Sequence, residues 1–456
     1  NSWYDNIQQR MVYCVEDNSV QAVGIENNSA GKMSPLNVWT TTIGDELKLA
    51  TNFKSKVYGV SLKDRGAIIP AGHAADGAFW YDGKSGNFIS STYYGKSLPT
   101  WLTNYNNAKK VDSFYKLGWS LSLPASVYEA YCDNDQNDYE SKPFGKEVNG
   151  FPYNLNSYIG KDYGKVSSTP YGNNLVLDIA TQTLINEKMG LDDITDLLAV
   201  SFSSPDYIGH AFGPYSRELE DMYARLDREL QRLFASLETR YGKDGFVLFL
   251  TADHAVVPVP EMLVKMKMPG GYFFMHDRLQ VLRDDFIMKY NADLLEHETN
   301  QNIYLNLAKI DSLHLDIDEV AAFAAAELRK WPEVKTVLTR EQLRSGSAST
   351  DYWGELLRNG YDPSRSGEVI FLLQPGYLAK DLDEPKAHQG TSHGSAFNYD
   401  THVPLLWYGK GIPAGLALYE PIQIIDISAT LVHMLNLQRP GLMTGKPILP
   451  LLQPKK

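Results

Sequence analysis

Apolar residues recur along this chain in short continuous runs, separated by stretches where they repeat every three or four positions. Lys56-Val-Tyr-Gly-Val-Ser61, Leu197-Leu-Ala-Val-Ser-Phe202, Phe246-Val-Leu-Phe-Leu250 and Val403-Pro-Leu-Leu-Trp-Tyr408 are runs of the first kind. Their length and their β-branched and aromatic content predict buried strands. Gly77–Asp82 and residues 88–92, with Gly83 following the first, predict a hairpin. Helical spacing marks residues 42–52 (Ile43, Leu47, Ala50) and 174–189 (Leu175, Leu177, Ile179, Ala180, Leu184, Ile185). A long helix follows Ser216, which can cap it, with Glu218, Glu220 and Asp221 in its first turns, where acids favour the helix dipole. Its stripe of Leu219, Met222, Leu226, Leu230, Leu233 and Leu237 runs until Gly242 and Gly245 end it. Further elements are predicted over 302–306 and 334–338 (strands) and over 318–330 and 424–435 (helices).

Strands alternating with helices argue for an α/β fold, here an αβα sandwich around a mostly parallel central sheet. Residues 111–168 are rich in Tyr, Asn, Asp, Gly and Ser with weak periodicity, which predicts a loop-rich cap insertion. Residues 258–377 form a second, less regular insertion, so residues 1–456 constitute one domain with two excursions. The first residues read as the middle of a domain more than its beginning, and a truncated or processed chain is expected.

The formal net charge of -12 disfavours a nucleic-acid backbone or an anionic membrane surface as partner. No apolar stretch approaches the roughly 18 residues needed to span a bilayer. Two cysteines, Cys14 and Cys132, are too few for a disulfide scaffold and read as one bridge or as two unrelated thiols.

The chemistry lies in three segments: Ser204-Pro-Asp-Tyr-Ile-Gly-His210, Thr251-Ala-Asp-His254 and Gly390-Thr-Ser-His-Gly-Ser395. Asp206 and Asp253 follow strand runs, where ligands bind in open α/β sheets. Asp206 and His210 are four apart, so one helical turn places both on one face. Alone, each segment is a weak signal, more readily a capping acid or a surface histidine. Together they read as a two-metal hydrolase site with carboxylate and imidazole ligands suited to zinc. The acidic run Asp133-Asn-Asp-Gln-Asn-Asp138 lacks the Gly and Glu that a calcium loop needs, having Asp138 and Phe144 there, and reads as a polar turn. His73, His388 and His402 lie near these motifs and are taken as structural or supporting.

These segments, with Thr401-His-Val-Pro404 after the last, resemble the phosphodiesterase/nucleotide pyrophosphatase-type branch of the alkaline phosphatase superfamily. The resemblance extends over nearly the whole chain and implies two zinc ions, one held by Asp206, His210 and His393, the other by Asp253 and His254. Within that branch, Lys63-Asp-Arg65 followed by Gly66-Ala-Ile-Ile-Pro-Ala-Gly-His73 is similar to phosphate-irrepressible alkaline phosphatases, in which Lys and Arg contact the free oxygens of a phosphate monoester. A monoester dianion keeps a charged oxygen that a diester has esterified, and Arg binds it bidentately while Lys acts as a point charge. By the same resemblance Asn1 hydrogen-bonds the transferring phosphoryl group, while the Thr nucleophile and one further Asp ligand of the second zinc lie upstream. Ala255 stands where relatives commonly have Gly.

The implied activity is zinc-dependent hydrolysis of small phosphate monoesters through a phospho-Thr intermediate, in a periplasmic or secreted protein. The alternatives are a phosphodiesterase or nucleotide pyrophosphatase, and an inactive metal-binding fragment. For residues 1–456 alone, the expectations are about one bound zinc, a partly uncovered sheet and little turnover.

Overall fold

The structure, a computed structural model, describes residues 2–26, 28–145, 148, 150–346, 351–381 and 389–452. Its centre is a five-stranded sheet in the order Ala22–Val23, Asn87–Ser91, Gly77–Asp82, Val57–Ser61, Leu197–Ser201. The last three strands are parallel to one another, and the first two add an antiparallel edge. Val57–Ser61 and Gly77–Asp82 are buried on both faces, which is why they read as continuous apolar runs. The helices Asp64–Ala71 and Tyr171–Asn186 both pack on this sheet. The long helix Arg217–Tyr241 packs on Tyr171–Asn186, and Ser216 caps it by accepting from the Leu219 N–H.

Two expectations are modified. Val247–Thr251 does not extend the five-stranded sheet. It pairs antiparallel with Leu405–Gly409 in a separate ladder, and both strands are only partly buried. Among the described residues, Leu197–Ser201 pairs on one side only, and it is half-buried throughout. Residues 258–377 are also more regular than their sequence suggests. They hold a four-stranded antiparallel sheet, Leu295–Thr299, Asn302–Leu305, Val369–Leu373 and Val334–Thr339, covered by Met275–Tyr290 and Ile317–Leu328 around a core of their own. Two strands of this sheet were not expected, Leu295–Thr299 and Val369–Leu373; the latter is fully buried and shows no alternation. The cap stretch around residues 111–168 holds the short helices Lys110–Leu117 and Ala125–Tyr131 and 3₁₀ turns, with Trp119 and Tyr153 deep in the main core and Tyr128 fully buried. Among the described residues, no helix is long and apolar enough to cross a membrane. Cys14 and Cys132 are not bonded to each other.

Candidate metal centre

Parallel pairing decides where the first two groups meet. Ser61 and Ser201 are register partners at the carboxyl ends of adjacent strands, so the segments leaving them emerge side by side. One segment carries Lys63 into the helix Asp64–Ala71, and the other carries Asp206 into the first turn of Ser204–Phe212. Lys63 Nζ donates to Asp206 Oδ2, an ion pair with both side chains mostly buried, and the Lys63 ammonium also lies 4.7 Å from the centroid of the Tyr207 ring. A Cβ on Gly66 would lie 2.7 Å from Ser61 Oγ and 2.8 Å from Ser201 Oγ, so this close approach requires glycine.

Three imidazoles converge on the other carboxylate oxygen. Asp206 Oδ1 lies 3.2 Å from His210 Nε2, 3.5 Å from His393 Nε2 and 3.6 Å from His254 Nε2. The His254 and His393 rings stack with centroids 3.3 Å apart. Asp206, His254 and His393 each offer a ligand atom within 4.8 Å of the others. Burial raises the Asp206 pKa, but hydrogen bonds from His210, His393 and Lys63 outweigh it and hold the carboxyl well below its ordinary range. The His210 pKa is raised by its bond to Asp206 against an opposing burial effect.

The other ring nitrogens explain the orientation. His210 Nδ1 lies 2.8 Å from the Thr391 carbonyl and His254 Nδ1 lies 2.9 Å from the Ala255 carbonyl. A carbonyl at Nδ1 keeps each ring turned so that Nε2 faces Asp206. Without a cation Nε2 donates to the carboxylate; in the neutral ring with its proton on Nδ1, Nε2 is free to bind a metal. Imidazoles oriented in this way beside a carboxylate could hold a metal ion, and the donor set fits zinc.

The loops carrying these ligands are tied to one another. The Thr391 N–H donates to the His210 carbonyl at 2.9 Å, and Thr391 Oγ1 donates to the Val257 carbonyl at 2.7 Å. Asp400 Oδ2 accepts from the Gly394 and Ser395 N–H groups, and its backbone carbonyl accepts from the Ala255 N–H. Neither Thr391 nor Asp400 stood out in the sequence, since a threonine beside a histidine and an acid in a short helix are ordinary surface features.

Of the residues singled out from sequence, Asp206, His210, His254, His393 and Lys63 come together. Asp253 lies 3.5 Å from His254 Nε2, but its side chain is 89% exposed. Arg65 donates from Nη1 to the Tyr13 hydroxyl, which in turn donates to Asp64 Oδ1 at 2.6 Å. Tyr13 belongs to the hairpin Ser2–Asp5/Arg10–Tyr13, and nothing in the sequence linked it to Arg65. Asn1 and His388 lie outside the described residues.

A family model described as type I phosphodiesterase / nucleotide pyrophosphatase matches residues 1–396. The chain belongs to this family. Alkaline phosphatase PafA of Elizabethkingia meningoseptica is 39% identical over 98% of this chain and 81% of that protein. A Myroides odoratus protein named calcium-transporting ATPase is also 39% identical, over 96% of this chain and 79% of its own length. A crystal structure of a PafA variant with one Thr, one Asn, one Lys and one Arg replaced matches with a TM-score of 0.92 and 37% identity, covering 98% of this chain and 84% of that one. Such a match means that the two chains share one fold, the αβα sandwich of the alkaline phosphatase type. In that variant the Asn precedes the Lys by 62 positions and the Arg follows it by 2, the spacings of Asn1, Lys63 and Arg65 here.

Proposed function

We propose that this protein is a zinc-dependent phosphatase acting on small phosphate monoesters. The observation that carries this reading is a cationic side chain built into the candidate metal-ligand set, Lys63 on Asp206 beside three imidazole Nε2 atoms. The relative named alkaline phosphatase supports it. One zinc is assigned to Asp206, His210 and His393 and a second to Asp253 and His254. Bound zinc supplies fixed positive charge beside the attacking and leaving oxygens. Lys63 and Arg65 neutralise the free oxygens of the phosphoryl group and Asn1 donates a hydrogen bond to them, where most catalysis of phosphoryl transfer arises. Asp206 stays ionised as an acceptor, and Thr391 keeps His210 presenting Nε2. The phosphoryl group is carried on a Thr. In the PafA variant the replaced Thr stands 21 positions before the replaced Asn, and the matching position precedes residue 1 of this sequence. Residues 111–168 and 258–377 are assigned as insertions beside the site, and a periplasmic or secreted location rests on the family resemblance.

A phosphodiesterase is the second reading, favoured by the family description over residues 1–396. Comparing kcat/KM for an aryl phosphate monoester and its diester, with and without added zinc, separates the two. A preference for the diester, or undiminished activity after metal removal, would overturn the proposal.

A further inference from the structure

The two ligand-bearing segments at Asp206–His210 and Thr391–His393 meet a third stretch of chain that no metal-binding motif marks. The Ser141 N–H donates to the Ala211 carbonyl at 2.7 Å, one residue past His210. The Tyr139 carbonyl accepts from the Gly390 N–H, also at 2.7 Å, three residues before His393. Residues 139–141 therefore bond to both ligand segments at once through main-chain groups. The contact is tight. Gly390 has φ +71°, and a Cβ there would lie 2.4 Å from the His210 carbonyl oxygen and 2.9 Å from Ser141 Oγ.

Between those two bonds sits Glu140, only 3% exposed. Its carboxyl takes a long contact from Asn137 Nδ2 at 3.4 Å, and it feels the charge of Glu218 at the start of Arg217–Tyr241. Glu218 is fully buried. Its Oε1 accepts from the Tyr153 hydroxyl at 2.5 Å, and its Oε2 has no hydrogen-bond partner among the described residues. Two carboxyls buried together are stable only when one keeps its proton. We infer that residues 139–141 form a strap that sets the distance between the His210 and His393 segments, with Glu140 as its buried anchor and positioning residue. Burial first, and then the charges of Glu218, Asp135 and Asp133, push the Glu140 pKa up to about 9, so the neutral acid is the form held there.

The inference rests on the metal-centre reading, so two measurements are needed. The first is amide hydrogen exchange on the metal-free protein. Glu140→Ala should speed exchange of the Ser141, Gly390 and Thr391 amides together while leaving the distant sheet around Ile303 unchanged. The second is zinc affinity by competition with a chelating dye, well below each variant's melting temperature. Loss of an outer-shell partner typically costs about 10- to 100-fold in metal affinity, and Glu140→Ala should fall in that range. Glu140→Gln, which mimics the neutral acid, should remain within about threefold of the parent on the same scale. Gly390→Ala tests the strap from its other side and should weaken zinc binding similarly. Unchanged exchange at all three amides in Glu140→Ala would overturn the strap, as would parental zinc affinity in both Glu140→Ala and Gly390→Ala. Coupled exchange with no zinc bound by the parent would sustain the strap and overturn the metal-centre reading.

Discussion

Lys63 and Arg65 are two residues apart, yet they are held differently. Lys63 is locked onto Asp206, while Arg65 is held by the Tyr13 hydroxyl of a separate hairpin. The Lys-x-Arg pair stood out through the family resemblance of its segment, together with its place after a strand. Its restraint by Tyr13 was not, because 52 residues separate the partners. If Arg65 reads the dianion, Arg65→Ala should lower monoester kcat/KM by about 100-fold or more, a loss of at least about 2.7 kcal/mol of transition-state binding. Diester turnover should fall by less than about tenfold on the same measure. Equal losses on the two substrates would make the pair structural.

Glu140 gives a second prediction at this scale, with its sign set by linkage. Its folded pKa is raised to about 9, mainly by burial and then by Glu218, whereas unfolded glutamate titrates near its model value of 4.5. Between those values the folded state binds more protons than the unfolded one. The stability contribution is therefore complete below about pH 4.5 and is lost as pH rises toward about 9, with a slope of at most about 1.4 kcal/mol per unit. Glu218, raised to about 7 chiefly by burial, adds in the same direction. Urea unfolding at pH 6 and pH 9 should show Glu140→Gln with a shallower decline than the parent, and identical slopes would contradict the buried pair.

Among the elements, the strand Val57–Ser61 and the helix Asp64–Ala71 approach so closely that a Cβ on Gly59 would lie 1.9 Å from the Ala67 carbonyl oxygen. That oxygen belongs to backbone and cannot turn aside. Gly59→Ala should therefore cost about 1–3 kcal/mol, as overpacking does, read as a lower denaturation midpoint. Because the same two elements carry Lys63 and Arg65, its activity loss should exceed that of Ser216→Ala. The latter removes the cap on the Leu219 N–H, about 1 kcal/mol, without touching the site. Strands buried on both faces and capped amphipathic helices were readable because burial pattern and capping chemistry are local. The ladder of Val247–Thr251 with Leu405–Gly409 was not, since pairing choice leaves no mark in either strand's own sequence.

For the whole molecule, the ligands come from three distant stretches, so metal binding should act as a staple across the fold. Removing zinc with a chelator should lower the melting temperature, and zinc at about 100 times its Kd should restore about 2.7 kcal/mol. Calorimetry across a zinc titration checks this, and a midpoint indifferent to zinc would remove the metal from the fold's energetics. His254→Ala, which takes away the ring stacked on His393, should reduce that zinc-dependent rise by at least half.

The sequence by itself determined the α/β class and the long capped helix, written in residues close together where periodicity and capping act directly. It also offered the Asp206–His210, Asp253–His254 and His393 motifs and, through a family resemblance, the Lys63–Arg65 pair. Only the tertiary structure decided that Lys63 bonds Asp206, that Asp253 faces solvent while His254 stacks on His393, and that Tyr13, Thr391, Asp400 and residues 139–141 hold the site's loops. Those contacts depend on which strand ends emerge side by side and on which loops pack across them. That choice is made by the burial of the whole core and is encoded in no single segment.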